Sequence, residues 1–405
     1  MSGTKISKLV LGVVLLLVLG TLVIVATSRG DLVGLAAEVV ATSAPPPTPT
    51  SSLAWKNATL DQIHFGEPKV VLTDTPGLRI VRWISDEEVL ILRDIEPGRG
   101  NAIEVFNVED GKVRRLVEGN IWGKPIWSPQ ANAITYLRYD EEEKVEKLIW
   151  QPIDGETRSL QSEVVQPVVL APAGRGAMAY SIRDQVLVGR SVVPAERRRV
   201  ELSFAPFAPP GSLSVCAWKY DTAVSPDGKW QVVYNCKNFL LVNSENGTIK
   251  QLDLGTEVIE GRPFSRWALD AQWSQDGRQL AIASTFGDFL PRITRLLVLD
   301  PWGEVREIRH PPGIIFSEVD WAPGGKYLLV SGLEAIGEGT FSPRMWLVDV
   351  KRGRIRNVDL LPVARSEDPR GGAAWSPDGK HLLFYCHPQN GSGSALCLAS
   401  VEVER

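Results

Sequence analysis

One short pattern recurs along this sequence and constrains its fold more than any other feature. Its clearest copy is Trp375-Ser376-Pro377-Asp378-Gly379-Lys380, which is followed by the apolar run 381–385. Proline at the third residue sets φ for a type I or II turn, aspartate bonds its own backbone, and glycine accepts a positive φ. The pattern therefore predicts a tight turn between two strands, with tryptophan at the end of the first strand.

Copies of this turn recur along most of the chain, and we name each copy by its first residue, the anchor. The anchors are Trp83, Trp127, Leu170, Val224, Trp273, Trp321 and Trp375. Consecutive anchors lie between 43 residues (Trp127 to Leu170) and 54 residues (Leu170 to Val224) apart. A period near about 40–45 residues is typical of the four-stranded blades of a β-propeller. We therefore predict an all-β, seven-bladed β-propeller. Six blades is the alternative, because the first and third anchor turns are degenerate.

The repeated turn followed by an apolar pair resembles the TolB-like, WD-repeat-like β-propeller family. The resemblance covers residues 60–405. It implies a ring of blades whose two faces and central channel support interactions. Members of the family serve as binding platforms, as accessory domains of peptidases and in some cases as enzymes, so the resemblance is specific for fold and not for function.

Strands at the two ends of this region complement each other. The run 67–73 reads as the end of a blade but has no anchor before it, whereas the last blade lacks an outer strand after Trp375. We therefore expect the N-terminal strand to complete the last blade, which removes an exposed sheet edge and closes the ring.

The first thirty residues have a different composition. Lys5 and Lys8 precede eighteen uncharged residues, Leu9 to Ala26. A cleaved signal has an apolar region of about 7–15 residues, and a bilayer span needs about 20. We predict a short cytoplasmic tail (1–8) and a transmembrane signal-anchor helix (9–28), with a cleaved signal as the alternative. The positive-inside tendency then places a single-pass protein in the cell membrane, with the propeller on the extracytoplasmic side.

Residues 29–59 are predicted to be a stalk and a proline-rich linker. The linker includes Pro45-Pro46-Pro47-Thr48-Pro49, and proline favours extended, semi-rigid geometry. The linker would hold the propeller away from the membrane.

The four cysteines fall into two local pairs, Cys216 with Cys236 and Cys386 with Cys397. Each pair brackets neighbouring strands of one blade, and an even count in an exported domain indicates disulfides. The alternative is four buried thiols. Neither pair has the CxxC spacing of a metal or redox site.

Familiar catalytic motifs are missing from the sequence. It contains no G-x-S-x-G, no H-E-x-x-H and no phosphate-binding glycine loop, so we assign no catalytic and no metal-ligating residue. The net charge is −4, which offers no broad basic field, and we do not expect a nucleic-acid partner.

The residues three positions before the anchors are expected on the innermost strands, facing the central channel. Ionisable side chains occupy four of these positions: Lys124, Asp221, Asp270 and Glu318. Ile80, Pro167 and Gly372 occupy the others. Three converging carboxylates would bind a divalent cation, the one cofactor we considered, or a basic peptide end. The alternative is a wet channel whose polar side chains need no ligand.

Loops at 96–101, 284–293, 333–343 and 388–394 are expected to share one rim of the propeller. The sequence thus predicts a membrane-anchored extracytoplasmic propeller that binds or scaffolds a protein or a cell-envelope polymer. The alternative is a propeller enzyme, a lyase or hydrolase, with a carboxylate or metal site in the channel.

Overall fold

The structure is a computed structural model, and every residue that it describes belongs to one compact unit, Pro49–Arg405. The described residues are 52–73, 77–95, 100–128, 132–154, 158–161, 168–173, 176–183, 186–191, 199–203, 221–227, 229–235, 239–243, 246–259, 262–286, 293–300, 304–337, 340–360, 372–386 and 395–404. No helix within these ranges is long and apolar enough to cross a membrane. The predicted anchor helix (9–28), Cys216 and Cys236 lie outside the described residues.

The described chain begins with short elements that pack against the sheets. These are helix α1 (Ser52–Asn57), a 3-10 turn (Leu60–Gln62) and strands β1 (Ile63–Phe65) and β2 (Lys69–Leu72). Helix α1 lies within the range assigned to the stalk and linker. Its Trp55 is 2% exposed, so packing against the sheets begins before residue 60.

The first sheet has seven antiparallel strands. They are β3 (Arg79–Trp83), β4 (Glu88–Asp94), β5 (Asn101–Asn107), β6 (Val113–Ser128), β7 (Ala133–Asp140), β8 (Val145–Pro152) and β9 (Arg158–Gln161). Strand β6 pairs with β5 over its first half and with β7 over its second half. It is therefore the last strand of one four-stranded unit and the first strand of the next.

The following sheets are antiparallel meanders in chain order. The second comprises β10 (Val168–Ala173), β11 (Gly176–Arg183), β12 (Val186–Ser191) and β13 (Arg199–Ser203). The third comprises β14 (Asp221–Val224), β15 (Trp230–Tyr234), β16 (Phe239–Asn243) and β17 (Ile249–Gln251). Strands are favoured here because runs such as 239–242 are apolar or β-branched and are bounded by turn residues.

Two larger sheets come next. The fourth comprises β18 (Thr256–Ile259), β19 (Arg262–Trp273), β20 (Leu280–Phe286), β21 (Ile293–Leu299) and β22 (Val305–Ile308). The fifth comprises β23 (Ile314–Trp321), β24 (Tyr327–Gly337), β25 (Thr340–Asp349) and β26 (Arg354–Asn357). Residues 333–343 were expected to be an irregular loop. Instead residues 333–337 and 340–343 extend the β24–β25 hairpin, with cross-strand pairs from Leu333 with Pro343 to Gly337 with Thr340.

The closing sheet joins the two ends of the unit. It contains β27 (Ala373–Trp375), β28 (His381–Cys386) and β29 (Ala395–Val403), and both β1 and β2 pair with β29. Ile63 lies opposite Val403 and Lys69 opposite Leu398. The N-terminal strands therefore occupy the outer edge of this sheet, where the sequence predicted an N-terminal strand.

The first strands of successive four-stranded units contact one another in a closed ring. The order is β3, β6, β10, β14, β19, β23, β27 and back to β3. Antiparallel meanders arranged in this way form a β-propeller. The described strands make six hydrogen-bonded sheets because β6 joins two units, so the blade count stays a prediction.

The anchor turns form as their residue types require. Ser376 donates its hydroxyl to Asp378 Oδ1 at 2.7 Å, and the same oxygen accepts the amide of Lys380 at 3.0 Å. Ser274 and Asp276 repeat the arrangement. Gly379 has φ of 73°, which glycine adopts without strain. These aspartates close their own turns, as the sequence predicted.

Anchor tryptophans also join neighbouring units. The indole Nε1 of Trp83 donates to the carbonyl of Ala374 at 2.9 Å, and that of Trp321 donates to Gln272 at 2.9 Å. Trp273 donates to Ala223 at 3.1 Å. In each case the acceptor is the residue before the preceding anchor. The tryptophans therefore fill the space between sheets and satisfy carbonyl groups there.

One predicted disulfide is confirmed. Cys386 and Cys397 are bonded within the closing sheet, with Cα atoms 5.8 Å apart, and both side chains are buried. They join the apolar cluster that also holds Trp55, Tyr327 and Trp375.

Candidate channel site

The predicted channel residues lie on the innermost strands. Asp221 begins β14 and is exposed, while Asp270 in β19 and Glu318 in β23 are partly exposed. The backbone of Lys124 lies in β6, but its side chain is outside the described part of the structure. That these side chains line a central channel stays a prediction.

β-bulges occur next to these positions. The register shifts between Ile80 and Arg82 in β3, between Ala268 and Asp270 in β19, and between Phe316 and Glu318 in β23. A bulge inserts one extra residue, bends the strand and redirects the adjacent side chain. The local backbone, as well as the two-residue alternation, therefore decides where these carboxylates point.

Asp270 uses its carboxylate to connect two sheets. Oδ1 accepts the amide of Ala271 at 2.9 Å, and Oδ2 accepts the amide of Val319, in the next inner strand, at 2.9 Å. Hydrogen bonds from two amides stabilise the ionised form. Asp270 therefore has a structural role between the fourth and fifth sheets.

Asp320 makes a similar connection one sheet further on. Its Oδ2 accepts the amide of Trp375 at 3.3 Å. Its charge also acts on Arg82, where it favours the protonated guanidinium. Burial by the surrounding protein acts the other way and is the larger effect, so the pKa of Arg82 is lowered. Arg82 is nevertheless solvent-exposed on β3.

A second group of residues meets at Gly372. A Cβ at this position would lie 2.9 Å from Glu318 Oε2 and 3.6 Å from Tyr385 Cε2. The Tyr385 hydroxyl in turn accepts the amide of Ile80. Three of the predicted channel positions, Ile80, Glu318 and Gly372, are therefore brought together with Tyr385.

Tyr234 lies opposite Asp221 on the next strand and is buried. Burial is the main cause that raises its pKa well above the usual value, and the charges of Asp270 and Asp221 add to the effect. Tyr234 is therefore held as a neutral phenol.

Sequence reasoning missed Arg82, Asp320, Tyr234 and Tyr385. Arg82 and Asp320 each directly precede an anchor, so the position before the anchor was the available signal. The described residues contain no group of three or more His, Cys, Asp or Glu side chains that would hold a metal ion.

Solved structures with the same fold include lyases and a β-propeller domain. An oligogalacturonate lyase from Vibrio parahaemolyticus matches with a TM-score of 0.55 at 12% identity, covering 84% of this chain and 97% of that chain. An oligogalacturonate lyase in complex with manganese matches with a TM-score of 0.55 at 14% identity, covering 83% and 97%. The β-propeller domain of Cps50 (Swd1) from Myceliophteria thermophila matches with a TM-score of 0.50 at 15% identity, covering 82% and 98%.

The chain has a β-propeller fold. The predicted resemblance to TolB-like, WD-repeat-like propellers is confirmed at this level. No protein-family model matches the chain, and no curated protein matches it. Identities of 12–15% show the fold of the propeller and do not transfer an activity.

The propeller face opposite the anchor turns carries two projecting hairpins. In the fourth sheet, the first part of the anchor strand β19 pairs with β18 to form one hairpin. In the fifth sheet, the second and third strands form the β24–β25 hairpin. The described strands of both hairpins therefore run away from the anchor turns. Val258 on the first is 67% exposed and Ile336 on the second is 59% exposed. An ion pair between Arg344 and Glu334, 3.0 Å apart, supports the second hairpin.

Proposed function

We propose that this chain is a binding or scaffolding propeller that binds a protein or a cell-envelope polymer on the face opposite the anchor turns. The observation that carries the proposal is the pair of apolar side chains, Val258 and Ile336, on hairpins of adjacent sheets. Exposed large apolar residues on projecting elements are features of interaction surfaces.

The channel residues support the same proposal. Asp270 and Asp320 accept backbone amides of neighbouring inner strands, so their carboxylates contribute to the ring itself. An interaction platform needs a rigid ring that presents its hairpins in fixed positions, and these bonds provide it.

The wider placement of the propeller is part of the proposal. Seven blades are supported by the ring of seven inner strands, in which β6 serves as the first strand of the second blade. The charge-free segment from Leu9 to Ala26 and the lysines before it support a single-pass anchor in the cell membrane, with the propeller on the extracytoplasmic side.

The proposal is tested by site-specific photo-crosslinking in the cells that make the protein. A benzophenone amino acid at position 336 should give a defined adduct, and the same probe at Glu109, exposed in a turn on the opposite face, should not. The adduct should disappear when Val258→Ser is added, because the two hairpins would share one partner. Equal adducts from positions 336 and 109, or no adduct from 336, would contradict the proposal.

A second candidate is a propeller enzyme, a lyase or hydrolase acting in the channel. The observation that favours it is the exposed guanidinium of Arg82 on an inner strand, where the charge of Asp320 acts on it. A guanidinium there would hold an acidic substrate. The test is ultraviolet detection of unsaturated product when the chain is incubated with oligogalacturonate and manganese. Absence of product with the wild type would contradict this candidate, and product that forms equally with Arg82→Ala would contradict the role of Arg82.

A further inference from the structure

A groove opens between the fourth and fifth sheets on the side of the anchor turns. Its volume is about 420 Å³. It is lined by Gln279, Arg306, Gly325, Lys326, Val350 and Lys351. Pockets for small ligands have volumes of roughly 300–1,000 Å³. The groove is therefore large enough for one small group, and it lies on the opposite face from the hairpins of the proposed function.

Three of the six lining residues are cationic, and none of the described lining residues is acidic. Lys326 is held in place, since its ammonium donates to the carbonyl of Ala58 and lies 4.9 Å from the centre of the Tyr327 ring. The side chains of Arg306 and Lys351 are exposed and form no ion pair or hydrogen bond with any other residue that the structure describes. Two unpaired cations thus lie beside one that is fixed.

Two carboxylates that adjoin groove residues along the chain have partners elsewhere. Glu307 follows Arg306 on β22, points to the other side of the strand, and pairs with Arg266 at 3.2 Å and Arg295 at 3.0 Å. Asp349 is buried and accepts from Arg352. The positive charge of the groove is therefore not neutralised by these neighbours.

We propose that this groove binds a phosphate group. A phosphate monoester carries about −1.5 to −2 charge at neutral pH and has three strong acceptor oxygens. Three cations on separate elements match the charge of a phosphate better than they match the single negative charge of a carboxylate. Arginine supplies paired donors to phosphate, and lysine supplies a point charge. The phosphate would come from a soluble ester or from a lipid headgroup.

The test uses the full chain in uncharged detergent micelles with inorganic phosphate as the probe, measured by calorimetry at fixed low ionic strength. Arg306→Ala/Lys351→Ala should weaken binding by about tenfold or more, since charge-assisted bonds are lost. The control Lys69→Ala/Arg309→Ala removes two exposed cations elsewhere and should leave the dissociation constant unchanged. No saturable binding in the wild type, or equal weakening in both variants, would overturn the proposal.

A second arm separates the two sources. Phosphatidic acid is added to the micelles in place of inorganic phosphate. If phosphatidic acid binds tightly and Arg306→Ala/Lys351→Ala weakens that binding, the natural ligand is a lipid headgroup. If the variant weakens only the binding of inorganic phosphate, the natural ligand is a soluble ester. Failure of the crosslinking test on the hairpin face would leave this result unaffected.

Discussion

The indole ring of Trp55 packs edge-on against that of Trp375, with ring centroids 5.0 Å apart and an interplanar angle of 79°. This contact joins helix α1 to the anchor of the closing sheet. The carbonyl of Ala58, one turn further on, accepts from both Lys326 and Tyr327 of the fifth sheet. Helix α1 and the residues after it therefore contact both the fifth sheet and the closing sheet. Strands β1 and β2, which follow, pair with the closing sheet.

Trp55→Ala should destabilise the propeller strongly. The side chain is 2% exposed, and replacing a buried tryptophan by alanine costs about 3–5 kcal/mol through lost burial and the cavity left behind. Denaturant unfolding of wild type and variant measures the change. Lys56→Ala, at an exposed position in the same helix, is the control, and an equal effect of both changes would contradict the packing role.

Asp270→Asn should also destabilise, because the amide nitrogen of asparagine would face a backbone N–H. Leaving one buried donor unsatisfied costs about 1–3 kcal/mol. Asp221→Asn occupies the same position relative to its anchor but is exposed, so we expect a change within about 0.5 kcal/mol. Unfolding free energies compare the two variants. Equal small effects would mean that Asp270 does not link the sheets.

The anchor tryptophans provide a matched comparison of hydrogen bonds. Trp321 donates its indole N–H to Gln272, whereas the buried indole N–H of Trp375 has no acceptor among the described residues. Trp321→Phe should therefore cost about 0.5–1.5 kcal/mol more than Trp375→Phe, since only the first change removes a hydrogen bond. Thermal unfolding of both variants tests this difference, and a larger cost for Trp375→Phe would contradict it.

Removal of the disulfide should lower stability by a moderate amount. Cys386 and Cys397 are 11 residues apart, and closing a loop of this size constrains the unfolded chain by roughly 2–3 kcal/mol. The variant Cys386→Ala/Cys397→Ala should unfold at a lower denaturant concentration than the wild type. Because it lacks this bridge, dithiothreitol should have no bond to reduce there. Intact mass before and after alkylation checks the bond, and free thiols at both positions would contradict it.

The acid sensitivity of the first sheet should depend on Asp140. The ammonium of Lys147 and the amide of Glu143 lower its pKa from 3.8 to about 2 in the folded state. A carboxyl group with a lowered folded-state pKa stabilises the fold above its unfolded value, and that contribution is lost as pH falls from about 4 to about 2. Lys147→Met should reduce this part of the pH dependence, since the amide of Glu143 remains. NMR titration of Asp140 measures it, and an unchanged titration in the variant would count against the assignment.

The sequence by itself determined the parts of this protein that depend on local contacts. Ser376 and Asp378 form hydrogen bonds within their own turn. The runs beside the turn alternate between the two faces of a strand. The repeat and its anchors were therefore predictable. The position of β2 beside β29 followed from a missing strand at one end and an extra strand at the other. Cys386 and Cys397 were close enough along one hairpin to be paired from their spacing.

Only the tertiary structure decided which side chains meet across sheets. Asp270 bonds an amide 49 residues away, and its orientation depends on a bulge that no residue type in β19 signals. Arg82 and Asp320 interact across the closing sheet, and the cations of the groove come from strands and turns of two sheets. Such contacts depend on how the sheets pack and on the bends within their strands. A repeat pattern records the alternation within each strand but not the relative placement of neighbouring sheets, and that placement brings these charges together.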